Sequence, residues 1–502
     1  MDFRRKTLGA APNPYDQVAY PGQPNRDAHV SNMAAMAILY GLSPAPADRC
    51  RVLEVACNEG AHLIPMAYAF PSSEFVGFDL AQSPIERGQA RARELGLRNV
   101  RLFAGNLLEV GAELGQFDFI IAHGFYAWVP EPVRDRLLAL CSELLTAQGV
   151  AFISYNAKPG GYLRLMARDM MLLGTANIAD AQERVGAGLS FLRYLAGKRP
   201  DKDLFRAVIE NQFTRMEKRP AAVTVHDELT EAYHPVHFIE FIEHAHKHGL
   251  QFLSESALPP PPDPAYSPEI RSTLEKAVGN DFLLEEQLLD FLRMRMYRET
   301  LLCREGSGAR RDFPVENFRR LLFASQATPS AGEAPGAIAF LLPGGIKMES
   351  NHPGIKALLL ELGKAWPHAL RFEELEPHLA GTGLTLDAQG APLIFRLAVA
   401  KMIEFRTANP PLARNIPERP KASRVCRQDA QTRDMATSLL HLSVSLEDPK
   451  LRCLLKLLDG TRTRGELLKA MTTEMPEAPV SELEEGLEPA LRNFYFAGIL
   501  EA

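Results

Sequence analysis

Between residues 51 and 155, short apolar runs alternate with stretches of helical period. Val52, Leu53 and Val55 form the first run, and residues 74–78, 100–104, 117–122 and 149–155 form the next four. Runs this short and this apolar suit strands buried on both faces. The stretches between them, 61–69, 84–95 and 131–145, place apolar residues at helical spacing, and Gly96 closes the second. Strands separated by helices imply βαβ units and a parallel sheet. Upstream, residues 13–24 carry Pro14, Pro21, Gly22 and Pro24 and are expected to be irregular. Residues 28–40 are expected to form a helix that stops before Pro44 and Pro46.

After Gly161 the pattern changes. Residues 162–222 are helical by period, then a helix over 235–248 ends at Gly249 and a strand follows at 250–254. A proline-rich turn (259–264), a helix (282–297) and a last strand (299–304) complete this part. The sheet therefore resumes after a helical insertion, and the first domain is discontinuous: 1–160 plus 226–310, with the insertion at 161–225. Met166, Met170, Leu172, Phe191 and Leu195 exceed what a solvent-facing helix needs. The insertion is expected to cover one side of the first domain's site, to form a homodimer contact, or to be an ordinary small bundle packed on its own domain. Residues 325–336 and 409–424, rich in small residues and proline, read as linkers. The segments from Pro353 and from Pro449 share a layout: a helix, a turn, a second helix, then a third with a short apolar strand. They read as two helix-turn-helix units with a wing, over 311–407 and 425–502. The fold class is α/β: a Rossmann-like sheet with a helical insertion, followed by two α-rich winged-helix-like domains.

Charge and composition narrow the function. The net charge is −6 and the pI about 6.2, so there is no whole-chain basic excess for nucleic acid or an anionic membrane. No run of about 20 apolar residues is present to span a bilayer, and residues 1–9 lack the apolar core of a signal peptide. The six cysteines are scattered without a C-x-x-C pair, which fits free thiols in a reducing compartment. A cytoplasmic location is expected, with neither nucleic acid nor membrane as partner.

The chemistry gathers at the strand ends. The first strand ends in Glu54 and runs into the loop Ala56-Cys-Asn58-Glu-Gly60 before a helix. Asp79 ends the second strand, Asn106 and Leu107 follow the third, and His123-Gly124 the fourth. In doubly wound sheets, ligands sit at the carboxyl ends of strands near the switch point. A carboxylate at Asp79 can accept both ribose hydroxyls, and Asn106 can meet an adenine edge. NAD is the rival cofactor, but its G-x-G-x-x-G loop is missing and Glu59 would repel pyrophosphate. A cationic, phosphate-free nucleoside tolerates Glu59 better.

Residues 15–155 resemble class I methyltransferases. More narrowly, Asn13-Pro-Tyr-Asp, His62-Leu-Ile-Pro-Met-Ala-Tyr, Glu74-Phe-Val-Gly-Phe-Asp-Leu, Phe119-Ile-Ile-Ala-His-Gly-Phe-Tyr-Ala-Trp-Val-Pro and Phe152-Ile-Ser-Tyr-Asn resemble bacterial methyltransferases that carry a methyltransferase regulatory domain. His226-Asp-Glu-Leu and Tyr233-His-Pro-Val-His-Phe resemble that regulatory segment. Rickettsial lysine methyltransferases acting on outer-membrane proteins are the best-known members. The resemblance implies S-adenosylmethionine as cofactor. It places Glu54 and Gly60 in the cofactor loop, Asp79 and Leu80 at the ribose and adenine, Asn106 at the adenine where Asp is usual, and His123 facing the methionine part. Tyr20 reaches the cofactor from an N-terminal lid. The family loop has glycine where this chain has Ala56, and a small residue or glycine at Asn58. A left-handed Ala56 would cost roughly 1–2 kcal/mol.

The resemblance makes a protein or peptide side chain such as lysine the expected acceptor. Tyr126, Trp128 and Tyr155 are candidates for an aromatic acceptor pocket that lowers the amine pKa by desolvation. His123 would orient the acceptor or remove its proton. His244 and His248 share a helix face, but no H-E-x-x-H motif accompanies them. They read as a solvated face, and no metal is assigned. The tail resembles small winged domains that capture leader peptides. Three other readings stand: a cofactor-binding protein without turnover, a small-molecule methyltransferase, and a DNA-binding regulator using the winged units.

Overall fold

The structure, a computed structural model, describes residues 14–230, 232–258 and 267–502. The proline-rich turn at 259–264 and the N-terminal 1–13 lie outside them.

In chain order the first domain runs α1 (Pro14–Gln17), α2 (Val30–Leu39), β1 (Arg51–Val55), α3 (Leu63–Ala69), β2 (Glu74–Asp79), α4 (Gln82–Leu95), β3 (Val100–Ala104), β4 (Phe117–Ala122), α5 (Glu131–Leu144) and β5 (Leu145–Asn156). Four helices follow: α6 (Gly160–Gly174), α7 (Ala181–Gly197), α8 (Leu204–Glu217) and α9 (Ala221–Glu228). The chain then returns through α10 (Phe238–His246), β6 (Leu250–Glu255), α11 (Pro268–Val278), α12 (Phe282–Arg293) and β7 (Tyr297–Arg304).

The seven strands lie in the order β3-β2-β1-β4-β5-β7-β6. β1 to β5 are mutually parallel, and β7 runs antiparallel between β5 and β6. The strand order reverses between β1 and β4, which opens a crevice at their carboxyl ends. One face packs on α2, α3 and α4, the other on α5 and α10. Two elements differ from the sequence reading. Residues 14–17 form a single helical turn inside the stretch expected to be irregular. The helix expected to run to 297 ends at Arg293, because Met294 turns left-handed (φ 48°), so β7 begins at Tyr297.

The insertion builds its own small core from Ala167, Met171, Leu192, Ala196, Ile209 and Met216, with Met166 and Met170 against it. Of the five apolar residues noted in the sequence, Met166 and Met170 join this core, while Leu172, Phe191 and Leu195 are half-buried outside it. Leu173, Tyr194 and Leu204 remain exposed.

The rest of the chain comprises α13 (Val315–Arg319), β8 (Leu322–Ala324), β9 (Thr328–Ala331), β10 (Ile338–Leu341), β11 (Lys347–Ser350), α14 (Pro353–Ala365), β12 (Leu370–Arg371), α15 (Phe372–Leu379), α16 (Gly390–Val399) and β13 (Glu404–Arg406). The last unit contains α17 (Arg424–Thr432), β14 (Met435–Thr437), β15 (Ser443–Ser445), α18 (Pro449–Leu457), α19 (Arg464–Glu474) and α20 (Val480–Phe496). In the middle unit α14, α15 and α16 pack on the sheet β12-β8-β13. The stretch 325–336, read as a linker, instead contributes β9 to a second sheet, β11-β10-β9. All four β9 side chains are exposed and Pro329 is one of them, as an edge strand allows. The stretch 409–424, also read as a linker, is packed: Leu412 and Ala422 are buried and bridge to Glu501 and Leu500.

Candidate active site

The loop after β1 is held in an unusual backbone. Ala56 (φ 57°), Asn58 (φ 50°) and Gly60 (φ 73°) are all left-handed. The two departures from glycine therefore occupy the region they were expected to strain, and Ala56 carries the larger cost because Asn tolerates that region. A side chain at Gly88 of α4 would meet Glu59 O at 2.5 Å, so the helix needs that glycine to approach the loop. The Asp79 carboxylate accepts the backbone N–H groups of Asn58 and Ala81, both at 2.9 Å. Glu54, at the end of β1, is buried, and its Oε2 finds no hydrogen-bond partner among the described residues. Burial, then the neighbouring Asp79, holds the Glu54 carboxyl well above the usual range, and burial also raises Asp79. Asn58 Oδ1 is likewise buried without a partner. The crevice thus offers unsatisfied acceptors and closely spaced carboxylates, which fits a ligand carrying hydroxyls, an ammonium and a cationic sulfur.

Around this cradle the other sequence candidates take different positions. Leu80 is 68% exposed at the rim. Asn106 turns its Oδ1 back to Leu108 N–H (3.1 Å), and Leu107 is buried in the core. Asn58 Nδ2 donates to the Tyr20 carbonyl (3.3 Å), so Tyr20 touches the loop through its backbone. The segment before Tyr20 is held by His226, whose Nε2 meets Val18 O at 2.8 Å.

His123 sits after β4 in a polar cluster that the sequence did not reveal. Its Nδ1 receives Asn25 Nδ2 (3.3 Å) and lies 3.1 Å from Ser154 Oγ. Ser154 Oγ accepts from Tyr297 OH (2.7 Å) and Gly124 N–H (2.6 Å), which leaves its own proton for His123. With Nδ1 accepting, the His123 proton resides on Nε2. Burial lowers its pKa to about 4. His123 is therefore a neutral hydrogen-bond donor, and the general-base role does not suit it. Asn25 Nδ2 also donates to Glu299 Oε1 (2.5 Å), and burial raises the Glu299 carboxyl to about 7. A cavity of about 290 Å³ adjoins this cluster, bounded by Tyr297, Glu299, Glu255, Tyr40, Phe252 and Phe282.

The expected aromatic acceptor pocket does not form. Along β5, Ser154 points to the His123 face, so Tyr155 must point to the opposite one. There Tyr155 is fully buried, 3.2 Å from Thr300 Oγ1 and packed on Phe241. Tyr126 is buried edge-on to Phe241, with its hydroxyl 2.8 Å from His244 Nδ1. Trp128 packs against Tyr233 beneath the guanidinium groups of Arg164 and Arg168, anchoring the insertion. Asn25, His62, Ser154, Tyr297 and Glu299 were missed. The available signals were a small polar residue in an apolar strand (Ser154) and an acid entering the last strand (Glu299).

The C-terminal unit meets the loop after β1 directly. Arg433 pairs with Glu59 (2.6 Å), and Arg91 of α4 pairs with Asp429 (2.6 Å) at 8% and 0% side-chain exposure. Asn25 N–H donates to His62 Nε2 (2.9 Å), so His62 carries its proton on Nδ1 and donates it to His441 Nε2 (3.0 Å). Burial holds both rings well below the ordinary histidine pKa.

Three family models match separate parts of the chain: "Methyltransferase domain" at 52–149, "Predicted methyltransferase regulatory domain" at 220–304, and "PKMT, C-terminal winged helix domain" at 418–488. Two uncharacterized proteins of Rickettsia prowazekii are similar. RP789 is 28% identical over 72% of this chain and 67% of its own length, and RP028 is 28% identical over 48% and 96%. The structure of PKMT2 from Rickettsia typhi in complex with AdoHcy superposes with a TM-score of 0.85 at 22% identity, covering 96% of this chain and 99% of that one. The fold is shared over nearly the whole of both chains.

Proposed function

Because the chain is a class I, S-adenosylmethionine-dependent methyltransferase with a regulatory segment and a PKMT-type winged-helix domain, we propose that its acceptor is the side-chain amine of lysine in a protein or peptide. The observation that carries this reading is the cavity lined by Tyr297 and Glu299. Its wall carries four carboxylates (Glu255, Glu285, Glu286 and Glu299) against three guanidiniums (Arg293, Arg295 and Arg311), and Arg311 already covers the Tyr40, Phe252 and Phe282 rings, so Glu299 is the group that offers an alkylammonium its partner. The shared fold with a protein named PKMT2 supports it. The six cysteines of the described chain are unpaired, five of them buried, which supports a reducing, cytoplasmic setting. No described helix is long and apolar enough to cross a membrane.

Glu54, Asp79 and the Asn58 side chain would hold the cofactor, with Asn106 and Leu80 at its adenine end. When bound, S-adenosylmethionine supplies a methyl on a positively charged sulfur, open to in-line displacement. The remaining work falls to the chain. A lysine ammonium must lose a proton, which costs roughly 4–5 kcal/mol at pH 7 from a pKa of ~10.4. Glu299, raised to about 7 and fixed by Asn25, takes that proton. His123, a neutral donor, orients rather than deprotonates. Positioning of the amine in line with the methyl supplies most of the remaining acceleration.

The experiment is transfer of labelled methyl to a host-cell lysate, with and without the protein, followed by fractionation and amino-acid analysis. Label in methyl-lysine of the protein fraction is the expected outcome. Label confined to small molecules, or to another residue type, would overturn the lysine reading.

A further inference from the structure

On the face of the sheet covered by α5 and α10, three ligand-type side chains converge from α5, α10 and the turn after α10. His244, in the last turn of α10, and His248, in the turn just after it, both point Nε2 toward Asp135 of α5. Asp135 Oδ1 lies 3.2 Å from His244 Nε2 and 2.8 Å from His248 Nε2. All three donor atoms fall within 4.8 Å of one another. In a tetrahedron with metal–ligand bonds of about 2.0–2.1 Å, neighbouring ligands are about 3.3 Å apart. Both Asp135 spacings, 3.2 and 2.8 Å, fall short of that value, so the side chains would have to spread by up to about 0.5 Å to admit an ion.

A second feature supports the reading. The far nitrogen of His244, Nδ1, is 2.8 Å from the buried Tyr126 hydroxyl. A metal-bound imidazole carries its proton on the other nitrogen and gives it to such an outer partner, which fixes the ring. Sequence alone offered only the two histidines, because Asp135 comes from a helix 109 residues away from His244.

We propose that Asp135, His244 and His248 bind one divalent transition-metal ion of the zinc class, with water completing the tetrahedron. Two imidazoles and a carboxylate suit Zn²⁺ better than Ca²⁺ or Mg²⁺, which prefer all-oxygen shells. The ion would clamp α5 to α10 directly behind Tyr126, which lies in the loop that carries His123. Its place is therefore a brace for the acceptor side, outside the reaction itself.

The test is a Zn²⁺ titration of chelator-treated, untagged full-length protein against a chromophoric competitor, repeated with Co²⁺ for its absorption spectrum. One equivalent should bind, with a tetrahedral Co²⁺ spectrum and no thiolate charge-transfer band. His248→Ala should weaken binding at least tenfold, and Tyr126→Phe about tenfold, the usual range for an outer partner. His248→Ala, at a side chain 18% exposed in the turn after α10, should match the metal-free wild type in melting temperature, which separates lost ligation from lost folding. Absence of stoichiometric binding, unchanged affinity in His248→Ala, or a thiolate band placing the metal on a cysteine would each overturn the proposal.

Discussion

Replacing Asp429 with alanine should release the winged-helix unit from the catalytic domain. Asp429 is completely buried, with Oδ1 on Arg91 (2.6 Å) and Oδ2 accepting Thr437 N–H (3.0 Å). The substitution strands a guanidinium that is only 8% exposed. Breaking a buried pair from one side costs about 3–5 kcal/mol, and the orphaned Thr437 N–H adds about 1–3 kcal/mol, less than additively. That is comparable with the whole stability of a domain, about 5–15 kcal/mol. Burial is the largest influence on both partners, ahead of their mutual attraction. Arg91→Met combined with Asp429→Leu should therefore recover most of the loss. Asp429→Ala also frees Arg433, which is 3.5 Å from it and holds Glu59 in the cofactor loop. Cofactor affinity should fall about two- to fivefold, the worth of one partly exposed pair. Urea denaturation followed by a probe in the tail, with cofactor binding by calorimetry, measures both effects. An Asp429→Ala midpoint within about 0.5 kcal/mol of wild type would refute the reasoning, as would a double variant no more stable than the single one.

Three further outcomes follow. Glu299→Gln should lower kcat/KM and flatten a pH limb centred near 7 in a pH–rate profile on an identified acceptor, since the ionised form takes the proton. The same carboxyl is raised on folding, so between about 4.5 and about 7 the unfolded chain binds fewer protons and stability falls as pH rises, by at most about 3 kcal/mol. Glu299→Gln should remove that slope in denaturant midpoints. Ala56→Gly should stabilise the protein by about 0.5–1 kcal/mol in thermal melts, because relief of a left-handed alanine exceeds the added chain entropy. Tyr155→Phe should leave kcat unchanged and cost about 1 kcal/mol of stability, because its hydroxyl meets Thr300 and no acceptor.

The cofactor side was legible in the sequence because it is local. Glu54, the loop and Asp79 are read off strand ends and one turn, and the strand–helix alternation places them on adjacent strands. The cluster proposed as the acceptor side is assembled from Asn25, His123, Ser154 and Glu299, which lie up to 274 residues apart, and no spacing rule connects them. Tyr155 misled for a related reason: residues 149–156 of β5 are all buried, so no exposed–buried alternation marks which face meets the site. The edge strand β9 was hidden by its exposure, since Thr-Pro-Ser-Ala gives neither an apolar run nor a period. The grip of the tail on α4 was invisible too, because Arg91 and Asp429 look like ordinary surface charges along their own helices.

The most direct measurement is calorimetric titration of S-adenosylmethionine into the wild type, Asp79→Ala and Glu54→Gln, with NAD as comparison. The cradle at the ends of β1 and β2 predicts one site per chain. Loss of one charge-assisted bond is worth about 1.5–3 kcal/mol, so each variant should bind at least tenfold more weakly, and NAD should not compete. Undiminished binding in both variants, or NAD binding with equal affinity, would contradict the account.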